Sequence, residues 1–160
     1  MTNTENDEDV RLRRVQEMGL LDNLEPEERF DVFTRRAVAE LHVPISTLTI
    51  LDADKGYYKS CQGLTDKEES RTISFCSVAL MATKLFVVSD CLKDPRFANN
   101  PMVTGSPFIR FYAGIALNDH KTGLPVAVFC IKDRIPRELT PSEVAAFLHL
   151  AEEVEKEINK

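Results

Sequence analysis

Long hydrophobic runs are missing from this chain of 160 residues. None of its apolar stretches approaches the roughly 18 residues that a membrane-spanning helix requires. The first ten residues, MTNTENDEDV, are polar and acidic, which fits neither a secretory signal nor a transit peptide. We therefore predict a cytoplasmic protein with no membrane partner, and a disordered lead-in over residues 1–8.

An excess of positive charge is also missing. The formal net charge is -6 at pH 7. A general nucleic-acid-binding protein presents a basic surface, and an anionic membrane attracts one. The balance therefore predicts no nucleic-acid partner, although it leaves room for a small cationic pocket.

Catalytic and metal-binding motifs are absent as well. The sequence has no phosphate-binding G-x-x-x-x-G-K-[ST] loop, no G-x-G-x-x-G and no H-E-x-x-H. No two cysteines form a C-x-x-C pair, which argues against a structural zinc site. We therefore predict no metal site, no catalytic residues and no enzymatic activity. The isolated histidines are predicted to be structural or exposed, and the cysteines to be mostly buried thiols: His42, His120, His149, Cys61, Cys76, Cys91 and Cys130.

What is present is the composition of a soluble globular protein, with 43% hydrophobic and 29% charged residues. This length is typical of one domain, which we place at residues 9–160. Internal repeats and low-complexity linkers are not apparent.

Helical patterns lie at both ends of the chain. Apolar residues recur at helical spacing between residues 10 and 21, and Pro26 suits the first turn of a second helix. The sequence TPSE at 140–143 predicts a capping box that opens a long C-terminal helix. Its thin apolar stripe has two interpretations. It is either the seam of a dimer, in which case Val154 and Ile158 contact a second copy, or the face by which the helix covers a sheet.

Strand patterns fill most of the remainder. Residues 45–52 and 57–63 predict one hairpin, and residues 109–117 and 124–133 predict another. Residues 84–90 predict a buried strand, and residues 64–73 a polar surface loop. Short helices are predicted at 74–82, capped by Ser74, and after the pair Asp94-Pro95.

Two hairpins indicate a mostly antiparallel sheet, and the terminal helices can share one of its faces. We therefore predict an α+β fold. The long middle segment, residues 62–108, must cover the other face. An irregular cover over a sheet is a place where a ligand pocket forms.

Several sequence blocks, in order, resemble the GAF domain family, and more narrowly the bacterial signalling type found N-terminal to diguanylate cyclases and histidine kinases. They are LLD…PEERFD, SFCSVAL, VVSDCLKDPRFANNPMVTGSPFIRFYAGIAL and ELTPSEVAAFLHLAEEV. The resemblance implies a central antiparallel sheet of about six strands. It also implies terminal helices that often form a homodimer, and a small-molecule pocket on the other face. The expected function is that of a sensory or regulatory module coupled to an output domain or a partner signalling protein.

Residues of the predicted cover and of the strand beneath it are the candidate ligand-binding site. Arginines suit a carboxylate or phosphate, and aromatic rings suit a planar ligand. Alternatively, Arg96 pairs with Asp90 or Asp94 and only fixes the loop. The candidates are Ser74, Phe75, Cys76, Asp90, Arg96, Phe97, Asn100, Arg110 and Tyr112.

The ligand and any cofactor stay unassigned. The N-K-x-x-x-F-x-x-x-D-E motif of cyclic-nucleotide-binding relatives is absent, and the lack of a Cys-His pair argues against an attached bilin. Two alternatives to a sensor remain. One is a thiol enzyme similar to the free methionine sulfoxide reductases of the family, with Cys76 as nucleophile and Cys61 or Cys91 as the second thiol. The other is a ligand-free dimerisation module whose pocket is filled by Phe75, Phe97, Phe108 and Tyr112.

Overall fold

The computed structural model describes residues 6–160, except for the side chain of Ile73. The helices are α1 Asp7–Glu17, α2 Glu28–Leu41, α3 Phe75–Met81, α4 Pro101–Thr104 and α5 Pro141–Ile158. The strands are β1 Ile45–Leu51, β2 Lys55–Gln62, β3 Glu68–Ser70, β4 Phe86–Val88, β5 Phe111–Asn118 and β6 Pro125–Asp133. Of the predicted lead-in, residues 1–5 lie outside the described residues, and Asp7 and Glu8 belong to α1.

The six strands form one antiparallel sheet in the order β3-β2-β1-β6-β5-β4. This confirms the predicted α+β fold and both predicted hairpins. The loop predicted at residues 64–73 is wrong in part, because it contains β3, which pairs with Lys55–Tyr57. Its central residue, Glu69, is buried.

Local capping explains where several helices begin. Thr140 and Glu143 form the predicted capping box: each side chain accepts a hydrogen bond from the other residue's backbone N–H, at 3.1 and 2.9 Å. Ser74 caps α3 by accepting from the backbone N–H of Ser77. The helix predicted after Asp94-Pro95 is wrong. Residues 95–99 form turns, and α4 begins later, where Asn100 accepts from the N–H of Met102.

One face of the sheet packs against α1, α2 and α5 through a mainly apolar core, next to which Lys59 is also buried. Phe129 of β6 stacks on Phe147 of α5, with ring centroids 5.3 Å apart. Val154 and Ile158 are 1% and 4% exposed and belong to this core. The dimer-seam interpretation of these two residues is therefore wrong, since they pack within one chain. The apolar stripe of α5 covers the sheet.

The opposite face is covered by α3, α4 and the turns around them, as predicted for residues 62–108. The strand predicted at 84–90 is shorter than expected, and Val87 in its middle is exposed because β4 is the sheet edge. Within residues 6–160 the structure has no helix with the length and apolar character needed to cross a membrane.

Candidate functional site

A stack of three aromatic rings fills the space between the sheet and its cover. Phe75, the first residue of α3, lies between Phe97 and Tyr112, with centroids at 4.3 and 5.0 Å. All three side chains are buried. The Tyr112 ring lies over Gly114, where an added Cβ would come within 2.3 Å of the phenol oxygen. Gly114 therefore allows the ring to lie close against its own strand.

Thiols and hydroxyls lie beneath this stack. The hydroxyl of Tyr112 donates a hydrogen bond to Cys76 Sγ at 3.2 Å. On β1, Thr47 Oγ1 lies 2.9 Å from Cys130 Sγ and 3.0 Å from Thr49 Oγ1. These residues are fully buried, so the layer between the sheet and α3 contains a continuous line of polar atoms among its aromatic rings.

A buried ion pair continues this line. Both oxygens of Glu69 accept hydrogen bonds, from Ser74 Oγ at 2.6 Å and from the Tyr58 hydroxyl at 3.0 Å. Lys132 Nζ lies 4.0 Å from Glu69 Oε2, and the structure gives it no hydrogen-bond partner within the described residues. We call the following set the polar cluster: Thr47, Thr49, Tyr58, Glu69, Ser74, Cys76, Tyr112, Cys130 and Lys132.

Lys132 keeps its charge in this setting. Burial alone would lower the pKa of a lysine, but the neighbouring Cys130 and Glu69 raise the pKa of Lys132 well above its ordinary value. Burial raises the pKa of the phenols of Tyr58 and Tyr112, so both stay neutral. Their rings lie 5.8 and 5.9 Å from the ammonium, where their π-faces partly replace lost solvation.

The two thiols of the polar cluster differ. A side-chain hydrogen bond with Cys130 and burial raise the pKa of Cys76 well above its ordinary value. For Cys130, burial acts upward, but the hydrogen bond from Cys76, the charge of Lys132 and the Thr47 hydroxyl together lower the pKa to about 7. The structure therefore favours the thiolate at Cys130 rather than at Cys76.

The nine predicted site residues fall into two groups. Five lie together in the buried layer: Ser74, Phe75, Cys76, Phe97 and Tyr112. The other four serve local backbone or loop structure. Asp90 accepts from the N–H of Leu92, and Asn100 caps α4. Arg96 pairs with Asp94 at 2.7 Å, one of the two partners named for it, and Arg110 Nη1 donates to the carbonyl of Val103 at 2.7 Å. A ligand-binding role for all nine stays a prediction.

Two further predictions for this region are wrong. Phe108 is half exposed, so it does not fill the pocket with the other rings. The thiol interacting with Cys76 is Cys130 rather than Cys61 or Cys91. Cys61 Sγ instead lies 3.7 Å from the carbonyl of Leu64.

Sequence reasoning missed several members of the polar cluster. Lys132 had a readable signal, because it alternates with Val128 and Cys130 on a strand predicted to be buried, and a lysine at such a position is unusual. No sequence signal indicated that Glu69 is buried, since it lies in a run of polar residues. Tyr58, Thr47 and Thr49 looked like ordinary strand residues.

Cavities lie beside the polar cluster rather than within it. A surface cavity of about 250 Å³ is lined by Tyr58 together with Lys59, Cys61 and Leu64. A larger one, of about 480 Å³, lies at the other end of α3, between Met81 and Glu155. Neither contains the aromatic stack, which closes the predicted pocket with its own rings.

Comparison with known proteins gives the fold a class. No family model matches the chain. The GAF domain of an Acinetobacter phosphoenolpyruvate-protein phosphotransferase is similar in structure, with a TM-score of 0.63 and 13% identity, over 97% of this chain and 94% of the other. The type II free methionine-R-sulfoxide reductase of Thermoplasma acidophilum has a TM-score of 0.64 and 10% identity, over 96% and 95%. The chain therefore has the GAF fold, as its sequence predicted.

A curated relative is closer in sequence. A cyclic di-GMP phosphodiesterase of Pseudomonas aeruginosa is 36% identical over 146 residues, which cover 91% of this chain. The chain spans 24% of that relative's length. The similarity therefore concerns one part of a longer protein.

These findings correct the prediction that the chain is not an enzyme. The sequence that it matches belongs to a protein named for a catalytic activity, and a protein with its fold is named as a reductase. The error came from treating the absence of common catalytic motifs as the absence of activity.

Proposed function

We propose that this chain is a sensory or regulatory GAF module of cyclic di-GMP signalling, within a protein that hydrolyses cyclic di-GMP. The observation that carries this proposal is the 36% identity with the Pseudomonas aeruginosa phosphodiesterase, maintained over 91% of this chain. Because the matched part is 24% of the relative, the proposed role is control of the activity by this module.

We also propose a small-molecule site on the covered face of the sheet. Phe97 is the ring that can leave the stack, because it lies on a turn rather than on a helix or strand. A planar ligand against Phe75 would take its place. Arg96, whose guanidinium lies over the rings of Phe86 and Phe97 at 5.0 and 5.4 Å, would then border the ligand.

The sheet can transmit the effect of such a ligand to the terminal helices. Helix α3 contacts β5 and β6 from one side, and α5 packs on β5 and β6 from the other. Displacing α3 therefore strains strands that also support α5. A ligand that binds one position of α3 better than another shifts the population of both helices.

The proposed homodimer through the terminal helices requires residues other than Val154 and Ile158. The exposed stripe of α5 consists of Ala145, His149, Glu152 and Lys156. This stripe is mainly polar, so α5 supplies a polar rather than an apolar surface to a second copy. A parallel pair would have to use α1 as well.

A chimera tests the regulatory role. This chain replaces the matching segment of the Pseudomonas aeruginosa phosphodiesterase, and cyclic di-GMP hydrolysis is compared with that of the relative lacking the segment. We expect a several-fold difference in rate, and a further change in Phe97→Ala, whereas the exposed Arg134→Ala control leaves the rate unchanged. Equal rates in the chimera and the deletion would contradict the proposal. Hydrolysis by this chain alone would assign the catalysis to it and also contradict a regulatory role.

The ligand is tested by native mass spectrometry of freshly purified chain. A stoichiometric extra mass that leaves on denaturation supports the small-molecule site. A clean mass supports the second candidate, a ligand-free module, which the stacking of Phe97 and Tyr112 on Phe75 favours. The same spectrum gives the oligomeric state.

A further inference from the structure

Two thiols from different layers meet in the polar cluster. Cys76 lies in α3 of the cover and Cys130 lies in β6 of the sheet, and both are fully buried. Thr47 Oγ1 is 2.9 Å from Cys130 Sγ, and Thr49 Oγ1 is 3.0 Å from Thr47 Oγ1 and 3.8 Å from Cys76 Sγ. The hydroxyls of Thr47 and Thr49 therefore link the two thiols, and each thiol also shifts the pKa of the other.

Lys132 lies where a thiolate needs a counter-charge. It follows Cys130 by two residues on the same strand, so both side chains point to the same face. Its Nζ donates to no acceptor within the described residues, although three N–H groups are available. Opposing charge comes from Glu69 on β3, whose two oxygens are already bound by Ser74 and Tyr58. The charge of the ammonium therefore stabilises a thiolate at Cys130 as well as the Glu69 carboxylate.

The remaining cysteines provide an internal contrast. Burial raises the pKa of Cys91 to about 12, and the nearby Asp90 and Asp94 act in the same direction. Burial also raises the pKa of Cys61, whose thiol contacts a backbone carbonyl. The charge of Lys132 also acts on Cys61, but burial outweighs it. Within the described residues, neither thiol has a threonine hydroxyl beside it as Cys130 has.

We propose that Cys76 and Cys130 form an oxidisable thiol pair, which a small hydroperoxide converts into a disulfide between α3 and β6. Hydrogen peroxide is small enough to reach a buried thiol during local opening of the cover. Oxidation would fix α3 covalently to the sheet beneath it. That this bond changes signalling rests on the proposed function, whereas the chemistry does not.

The reaction balances in two steps. The Cys130 thiolate attacks one oxygen of the peroxide, so an S–O bond forms, the O–O bond breaks, and the leaving oxygen takes a proton and departs as water. The Cys76 sulfur, having lost its proton, then attacks Cys130 Sγ. The S–S bond forms and the S–O bond breaks, and hydroxide takes a proton to leave as the second water. The two thiols lose two electrons and two protons, and the peroxide is reduced.

The test is peroxide treatment of the purified, fully reduced chain, followed by intact mass measurement and peptide mapping. We expect the loss of two hydrogen atoms and a single Cys76–Cys130 peptide pair. Cys61→Ser and Cys91→Ser should retain this product, whereas Cys76→Ser and Cys130→Ser should lose it. A chain that stays reduced, or a disulfide that includes Cys61 or Cys91, would overturn the proposal.

The counter-charge is tested separately at Lys132. Lys132→Met should slow oxidation about tenfold near neutral pH for each unit by which the pKa of Cys130 rises, and the rate should recover at alkaline pH. Lys132→Arg keeps the charge and should restore much of the rate, while circular dichroism verifies that each variant folds. Equal rates in the Met variant and the wild type would contradict the role of Lys132. Mass analysis needs no phosphodiesterase, so its outcome is independent of the chimera experiment.

Discussion

The two faces of the sheet bury similar elements in different ways. The face beneath α1, α2 and α5 is filled mainly by aliphatic and aromatic side chains, such as the stacked pair Phe129 and Phe147. Its buried lysine, Lys59, is paired with Glu27 at 2.9 Å and donates to the carbonyl of Asn23. The face beneath α3 also buries aromatic rings, but it places a lysine, a carboxylate, hydroxyls and thiols among them. The two faces differ in the free-energy cost of burying their side chains.

This difference separates stability from function. Apolar burial contributes about 25 cal/mol per Å² and requires no partners. A buried charge must recover its desolvation cost through its contacts, and Lys132 does so through the charges of Cys130 and Glu69 without a hydrogen bond to any atom of the described chain. Proteins retain such costly groups mainly where activity requires them. The α3 face is therefore the place to search for function, and the helical face is the source of stability.

The largest effect that tests this comparison is a truncation on the helical face. Phe129→Ala removes a fully buried ring and leaves a cavity against Phe147. We expect the free energy of unfolding, measured by urea denaturation, to fall by about 3–5 kcal/mol. Phe108→Ala is the control, because this ring is half exposed and its loss should change the value by less than about 0.5 kcal/mol. A small effect at Phe129 would contradict the stabilising role of this face.

A double-mutant cycle on the other face gives the next largest effect. Glu69→Gln removes the carboxylate nearest to Lys132 and leaves the ammonium uncompensated. We expect a loss of about 3 kcal/mol in the free energy of unfolding. Adding Lys132→Met removes the uncompensated charge, so the double variant should be as stable as the wild type or more stable.

Glu68→Gln is the matched control for this cycle, since Glu68 is the preceding residue and pairs with Lys55 in solvent. Its loss should change the free energy of unfolding by less than about 1 kcal/mol. If the two changes at Glu69 and Lys132 were simply additive, the two residues would have no coupling energy, and the cost assigned to this buried pair would be wrong.

The third prediction concerns the edge of the helical face. Asp119, in the β5–β6 turn, accepts two hydrogen bonds from Arg14 of α1, at 2.8 and 3.0 Å. These bonds hold the pKa of Asp119 far below its ordinary value. Its contribution is therefore complete above the unfolded-state pKa of about 4 and is lost as the pH falls through the lower folded-state pKa.

Asp119→Asn should lower the free energy of unfolding by about 2 kcal/mol at neutral pH. The difference from the wild type should shrink as the pH falls below about 4, because the wild type then loses the same charge. Urea denaturation at several pH values measures both effects. Glu152→Gln, on the exposed face of α5, should show neither. A difference that is independent of pH would exclude the ion pair as the cause.

Much of this fold could be predicted because its signals are local. The capping box at Thr140 and the alternation in the hairpins depend on residues a few positions apart. Strand β3 could not be predicted, because three polar residues become a strand only when they pair with Lys55–Tyr57. The helix predicted after Asp94 begins later in the chain, because Asn100 and Pro101 also form a capping residue followed by a proline at the first helical position. The residues between Pro95 and Asn100 form turns instead.

The site was less predictable for a similar reason. Ser74, Phe75 and Cys76 are consecutive, so one short helix brings them to the sheet together. The interaction of Cys76 with Cys130 depends on how α3 lies over β6, which no local pattern contains. The glutamate beside Lys132 comes from β3, the edge strand that lies three positions from β6 in the sheet. The polar cluster is thus a product of tertiary packing.

The smallest effect is expected at the rim of the α3 face. Arg96 pairs with Asp94 on an exposed turn, with its side chain 56% accessible. Exposed ion pairs contribute about 0–1 kcal/mol, so Arg96→Ala should leave the free energy of unfolding almost unchanged. Arg36→Ala, which breaks the exposed pair with Glu40 on α2, is the matched control.

What distinguishes the two arginines is position relative to the aromatic stack. Arg96 lies over the rings of Phe86 and Phe97, whereas Arg36 is on the helical face. If native mass spectrometry detects a bound molecule, Arg96→Ala should weaken its retention while Arg36→Ala leaves it unchanged. Equal retention in both variants would assign Arg96 to loop structure alone, as its pairing with Asp94 already allows. Because neither change affects folding, a difference in retention would report on the rim and not on the stability of either face.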